Sequence, residues 1–183
     1  TATAPAQLVT VADPLTAALD WNTFELTEIG FGDVLIPVPA GAKNFVTAVD
    51  MTYLGEELRV DIDVRIDLGT GEVNALFSTI DPQTGLPPTV ELGFLPPEDG
   101  TGRGQGHISF VVRAKPSLST DTEIRNVATI VFDLGESIDT NQVDPHDPAA
   151  GTDPTKEALV TIDADPPTSR VEALPAESMP EFT

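Results

Sequence analysis

The segment LRVDIDVRID, residues 58–67, alternates apolar and charged side chains without a break. Its even-numbered positions carry Leu, Val or Ile, and its odd-numbered positions carry Arg or Asp. A period of two residues predicts a β-strand with one face in the core and the other in water. The tight-turn sequence LGTGEV comes next, so we expect a hairpin into EVNALFSTI, residues 72–80.

Short segments rich in β-branched residues and separated by Gly, Pro or Asp recur along the chain. The further predicted strands are 7–12, 23–29, 33–38, 44–51, 89–94, 106–114, 122–133 and 158–163. RNVATIVF, within 122–133, is apolar on both faces, which predicts a central strand covered on each side. At most DPLTAALDW, residues 13–21, forms a helical turn. This pattern predicts an antiparallel β-sandwich or barrel.

Two long segments do not fit a strand pattern. Residues 80–106 are rich in Pro and Gly, and residues 133–157 are acidic. Loops of this length inside a domain are usually functional, disordered or held by a ligand. Residues 164–183 are Pro-rich and end in PEFT, which resembles the start of a strand. We therefore expect a sandwich domain at 1–163, followed at 164–183 by a linker or the start of a following module.

The composition narrows the range of partners. The chain has 30 acidic and 9 basic residues among 183, a formal charge of −21. A surface this negative repels phosphate backbones and anionic lipids, so we expect neither nucleic-acid binding nor membrane insertion, and no apolar run approaches the roughly 20 residues of a membrane span. Cysteine is absent, which excludes disulfides and thiolate metal sites.

The acidic loop is the best candidate for a metal site. Ca²⁺ takes six to eight oxygen ligands, and each Asp-Pro pair biases its Asp toward an extended conformation that leaves the carboxylate free. The spacing does not match an EF-hand. Calcium bound within 133–165 and a solvated acidic loop both remain open. The candidate calcium ligands are Asp133, Asp139, Asn141, Asp144, Asp147 and Asp153.

Other chemistries have weaker support. His146 could bind zinc, but no cysteine or second histidine lies near it in the sequence. Cleavage at Asp-Pro bonds is conceivable, yet six such pairs are scattered along the chain, which favours ordinary turns. The glycines of residues 100–106 precede a strand, unlike a nucleotide-binding loop.

Trp21 and Tyr53 are the only residues of their kinds, so a sugar-binding platform is weakly supported, and we expect Trp21 in the core. We expect no enzyme activity.

Three segments resemble a known type of repeat. APAQLVTVADPLTAALDWNTFELTEIGFGD, GFLPPEDGTGRGQGHISFVVRAK and TEIRNVATIVFD are similar to uncharacterised repeats of giant bacterial secreted and surface proteins, related to DUF11-like domains. The similarity covers most of residues 3–170. It implies an immunoglobulin-like β-sandwich outside the cell and no established activity. This chain departs from the commoner pattern through NQVDPHDPAAGTDPTKEAL, so a function in that loop is not inherited. Domains of this type can carry lysine isopeptide crosslinks, for which Lys43, Lys115 and Lys156 are the possible donors.

The sequence therefore predicts an all-β, immunoglobulin-like sandwich with two long loops, secreted or on the cell surface. We expect a non-catalytic spacer, stalk or surface-assembly unit, stabilised by calcium and in contact with neighbouring Ig-like domains of the same polypeptide. A carbohydrate- or protein-binding adhesin module is one alternative. A fibre-forming subunit that self-associates by strand complementation, with QLVTVA as the donor strand, is another.

Overall fold

The structure, a computed structural model, describes residues 4–166 and is built almost entirely of β-strands. The predicted linker at 164–183 lies, from residue 167 on, outside the described residues. The described part forms no helix long and apolar enough to cross a membrane. In chain order the strands are β1 (Leu8–Pro14), β2 (Leu19–Phe31), β3 (Val34–Pro37), β4 (Asn44–Tyr53), β5 (Glu56–Asp67), β6 (Glu72–Ile80), β7 (Gly106–Ala114), β8 (Glu123–Asn126), β9 (Thr129–Phe132), β10 (Ser137–Asp139) and β11 (Ala158–Thr161).

The strands form two packed sheets and a small extra one. Six strands pair antiparallel in the order β10-β9-β1-β6-β5-β4, and three pair in the order β3-β2-β7. β8 and β11 form a separate two-stranded sheet. The core lies between the six-stranded and three-stranded sheets. The predicted all-β antiparallel sandwich with two long loops is confirmed.

The alternating pattern of residues 58–67 sets which face of β5 is buried. All five of its apolar side chains are buried, whereas its Arg and Asp side chains are half-buried or exposed. Phe31, Phe77 and Phe94 pack beside them, with ring centroids of Phe31 and Phe94 5.1 Å apart. Burying each such side chain contributes about 1.5–3 kcal/mol. Phe94 belongs to the long segment between β6 and β7, so this loop is part of the core.

The predicted hairpin between β5 and β6 is confirmed. The N–H of Gly71 donates to the carbonyl of Asp67 at 2.7 Å and closes the turn. Gly71 has a φ of 79°, in the left-handed region that favours glycine. Its Cα lies against the ring of Trp21, whose Nε1 donates to the carbonyl of Thr16 at 3.2 Å. Trp21 packs against the core, as expected.

Two strand predictions need correction. Residues 89–94 form no strand, because the side-chain amide of Gln7 binds the carbonyls of Pro88, Thr89 and Leu92 and holds the segment in an irregular path. The predicted strand 122–133 is split into β8 and β9. β9 is half-buried throughout rather than covered on both faces, because the three-stranded sheet ends at β7 and leaves this edge of the larger sheet open.

Candidate functional site

The acidic loop begins where β9 ends. Asp133 adopts a φ of 52°, and its Oδ1 accepts hydrogen bonds from the N–H groups of Gln7 and Leu8, both at 2.9 Å. Its own N–H donates to the carbonyl of Leu8 at 2.7 Å. Asp133 therefore fastens the end of β9 to the start of β1.

Three of the predicted calcium ligands cap turns of their own loop. Asp144 accepts from the N–H of His146 at 2.8 Å, and Asp147 accepts from the N–H of Ala149 at 3.0 Å. Asp153 accepts from both the hydroxyl and the N–H of Thr155, at 2.7 and 2.9 Å. These two bonds, the hydroxyl first, lower the pKa of Asp153. Each carboxylate thus accepts a hydrogen bond from the backbone two residues further along and stabilises its own turn. Asp is favoured in turns for this reason.

The remaining two predicted ligands lie near the start of the loop. Asp139 Oδ1 accepts from the hydroxyl of Thr129 at 2.6 Å and ties β10 to β9. Asn141 is buried, and its Nδ2 donates to Oε1 of Glu157 at 3.0 Å. Asn141 Oδ1 is buried without a hydrogen-bond partner among the described residues.

Cationic side chains close the loop. Lys156 Nζ donates to the carbonyls of Gln142 and Val143 at 2.7 and 3.0 Å. The guanidinium of Arg125 bridges Glu123 and Glu157, at 2.9 and 3.2 Å, and these carboxylates, chiefly Glu123, raise the pKa of Arg125. The loop is therefore hydrogen-bonded into the module between β10 and β11, and it contains the extra sequence NQVDPHDPAAGTDPTKEAL.

These side chains do not fit a calcium site in this conformation. No group of three His, Asp or Glu side chains within residues 4–166 lies close enough to hold a metal ion. Asp133 and Asp139 stand at opposite ends of β9, a strand of four residues that spans roughly 10 Å or more. His146 is exposed, and the other of the two histidines, His107, pairs with Glu28 of β2. Calcium stays a prediction from the sequence, without support from this geometry.

The glycine-rich segment at 100–106 binds a carboxylate of the protein itself. Glu98 Oε1 accepts from the N–H groups of Gly100 and Gly102, at 2.6 and 3.1 Å. Hydrogen bonds from these backbone groups, the one from Gly102 first, lower the pKa of Glu98. The N–H groups that a phosphate would need are therefore already occupied, which agrees with a turn leading into β7.

The three candidate crosslinking lysines contact groups other than carboxamides or carboxylates. Lys43 Nζ donates to the carbonyls of Asn22 and Phe24, and Lys156 binds the two loop carbonyls described above. Lys115 Nζ lies 5.9 Å from the ring centroid of Trp21, a cation–π distance. Within residues 4–166, none of the three ammonium groups donates a hydrogen bond to an Asn or Asp side chain.

The strand proposed as a donor for a neighbouring molecule is an interior strand. β1 pairs with β6 on one side and with β9 on the other. Its backbone hydrogen bonds are therefore already used within the module. Donating QLVTVA to a neighbour would require the six-stranded sheet to open.

Sequence reasoning missed a buried polar pair. Asp13, at the end of β1, is 6% exposed, and its Oδ2 accepts from Nδ2 of Asn126 at 2.9 Å, whereas its Oδ1 has no partner among the described residues. Burial raises the pKa of Asp13, and the bond from Asn126 offsets part of this effect. A signal was present in the sequence, because Asp13 continues the inward-facing positions of Val9 and Val11.

A comparison with protein families gives one match. The model of a domain of unknown function, DUF7619, matches residues 91–146, from the middle of the segment between β6 and β7 through β7, β8, β9 and β10 to His146 in the acidic loop. No curated protein and no solved structure matches the chain significantly. The family match covers less than half of the 183 residues and carries no assigned activity.

Proposed function

We propose that this chain is a non-catalytic structural module of a bacterial secreted or surface protein, which transmits force between its two ends and holds neighbouring modules apart. The positions of the two ends support this most strongly. The chain enters β1 at Leu8 and leaves the same sheet from β10 at Asp139. β9 lies between these strands and is antiparallel to both, so β1 and β10 run in the same direction.

This arrangement separates entry from exit along the strand axis. Val9 pairs with Phe132 at one end of β9, and Ala12 and Asp139 flank Thr129 at the other. A pull on the two ends draws β1 and β10 in opposite directions along β9. Hydrogen bonds of antiparallel strands lie perpendicular to the strands, so several must break together. This shear geometry gives mechanical resistance.

The acidic loop and the small sheet continue the module at its exit end. Beyond β11, the N–H of Ile162 donates to the carbonyl of Thr122 at 2.9 Å, and the N–H of Ala164 donates to the hydroxyl of Thr120 at 3.0 Å. The exit segment therefore lies against the connection between β7 and β8. These bonds support a defined exit direction for the chain.

The same end presents apolar surface. All four side chains of β11 are exposed, including Leu159 at 47% and Val160 at 60%. These two neighbours point to opposite faces of β11, so each face of this edge strand has an exposed apolar side chain for a contact. We infer that a neighbouring module of the same polypeptide covers this strand.

Composition and resemblance support a location outside the cell. The charge of −21 without cysteine gives a soluble surface that repels nucleic acid, and the similarity to Ig-like bacterial repeats indicates a secreted or surface protein. Single-molecule pulling through the two ends tests the proposal. We expect one cooperative unfolding step at high force, and gradual extension at low force would contradict it.

A further inference from the structure

A cavity of about 200 Å³ lies between the two main sheets, along their open edge. Among the described residues, β7 pairs only with β2, so the three-stranded sheet ends there. Ile108 and Phe110 on β7, and Ile130 and Phe132 on β9, line the cavity and are only half-buried. Solvent therefore reaches the cavity from between β7 and β9.

The cavity wall is almost entirely apolar. Phe31, Phe77 and Phe94 line its inner part with aliphatic side chains around them. Of the residues that the structure describes, only Asp13 and His107 are titratable members of the lining. His107 Nε2 lies 2.9 Å from Oε1 of Glu28 and is thereby occupied. Asp13 is thus the titratable group of the lining that keeps one oxygen without a hydrogen bond.

One carboxyl oxygen of Asp13 is bonded and the other is enclosed by protein, so a guest meets the enclosed oxygen once the side chain turns toward the cavity. Oδ2 accepts from Asn126, and Oδ1 is buried with no partner among the described residues. Buried polar atoms in native proteins are nearly always hydrogen-bonded, and exceptions call for a bound water, ion or ligand. An apolar cavity of this kind holds water poorly, because a buried water needs two to four polar partners.

We propose that this cavity binds a small apolar primary amine, whose ammonium group donates to Oδ1 of Asp13 and whose hydrocarbon part packs among the phenylalanines. This binding function goes beyond the structural role proposed above. An engineered apolar cavity of about 150 Å³ holds a benzene molecule, so this volume suits one aromatic ring with a short arm.

The charge of the site selects an amine over other guests of the same size. An ammonium group offers a charge-assisted hydrogen bond to the free carboxylate oxygen, and the net charge of −21 raises the local concentration of cations. A carboxylate guest would meet repulsion from Asp13. A pure hydrocarbon would fill the volume but leave Oδ1 without a partner.

A series of ligands of matched shape tests this proposal on the wild-type chain. Benzylamine, benzyl alcohol, toluene and benzoate would be titrated and followed by ¹⁵N NMR, with the shifts mapped onto the cavity residues. We expect saturable binding strongest for benzylamine, with shifts at β7, β9 and Asp13, and no binding of benzoate. Toluene binding as tightly as benzylamine, or shifts scattered over the acidic surface, would overturn the proposal.

Two variants locate the site, with one matched control. Asp13→Asn removes the charge and should weaken benzylamine binding about tenfold or more while leaving toluene unaffected. Asp50→Asn makes the same charge change on the exposed face of β4 and should change neither. Ala75→Leu fills the cavity from the buried face of β6 and should abolish binding of both ligands. Unchanged benzylamine affinity in Asp13→Asn and in a folded Ala75→Leu would place the amine elsewhere and refute the site.

Discussion

Asn126 donates a hydrogen bond to the buried carboxyl of Asp13 at 2.9 Å and thereby joins the end of β8 to the end of β1. The two residues are 113 positions apart in the sequence. Their contact links the small sheet at the exit end to the strand by which the chain enters. This pair therefore holds together the two parts of the module through which force would pass.

Replacing Asn126 should destabilise the fold. Asn126→Ala leaves both oxygens of Asp13 without a partner in a buried position, and we expect a loss of about 2–3 kcal/mol in the free energy of unfolding. Asn44→Ala, at an exposed position, is the control and should stay within about 0.5 kcal/mol of wild type. Urea denaturation measures both. Equal free energies of unfolding for the two variants would show that the contact between Asp13 and Asn126 does not stabilise the fold.

Asp13 should make stability fall as pH rises. Its pKa is raised in the folded state, so its contribution is fully present below the ordinary Asp pKa of about 4 and is lost as pH rises through the folded pKa. Asp13→Asn lacks this loss, so its stability relative to wild type should improve between pH 4 and pH 7 in urea denaturation.

Asp153 supplies a control of opposite sign. Its pKa is lowered by Thr155, so its contribution is present above the ordinary Asp pKa and is lost as pH falls through the lowered value. Asp153→Asn should therefore be less stable relative to wild type at neutral pH than at pH 3. The same pH trend in both variants would mean that net charge, and not the two local environments, sets the response.

The contact between Gly71 and Trp21 gives a paired test of packing. A Cβ at position 71 would clash with the indole ring, whereas a Cβ at Gly85 meets nothing within 4 Å. Both glycines have positive φ, 79° and 71°, so alanine costs about 1–2 kcal/mol of backbone strain at either position. Gly71→Ala should lose clearly more stability and shift the fluorescence of the single tryptophan. Equal losses without a fluorescence change would contradict the packing of Trp21 on the turn.

Periodicity predicted the part of the fold in which every other residue is buried. The hairpin of β5 and β6 follows directly from its alternating side chains and its turn sequence. The path of residues 89–94 did not follow from local pattern, because the side chain of Gln7, more than 80 positions away, fixes it. The split between β8 and β9 also depends on a distant contact, in which the N–H of Thr140 donates to the carbonyl of Ala128 at 2.9 Å.

The candidate site shows the same limit. The sequence places Asp144, Asp147 and Asp153 in one loop, but spacing alone does not decide whether their carboxylates turn toward an ion or toward the next N–H group. In the structure they cap their own turns. The burial of the Asp13 carboxylate was not predicted, because its partner Asn126 lies on another sheet and because an Asp-Pro pair is typical of an ordinary turn.

Calcium should have little effect on this fold. Because the five Asp residues among the predicted ligands already accept hydrogen bonds and the described carboxylates do not converge, we expect the same melting temperature in EDTA and in millimolar Ca²⁺ at matched ionic strength. A rise of several degrees with Ca²⁺, reversed by EDTA and absent in the triple variant Asp144→Asn, Asp147→Asn, Asp153→Asn, would show instead that the loop rearranges around the ion.

The direction of pulling tests the structural role most directly. The chain has no cysteine, so pairs of introduced cysteines can serve as unique handles at exposed positions. Ala4→Cys with Val143→Cys, a position 48% exposed that follows β10, loads β1 against β9 and β10 along the strand axis. Ala4→Cys with Leu134→Cys, a position 99% exposed beside the end of β9, separates β1 from β9 one hydrogen bond at a time. We predict a much higher unfolding force for the first pair, and equal forces for the two pairs would contradict a module built to carry tension between its ends.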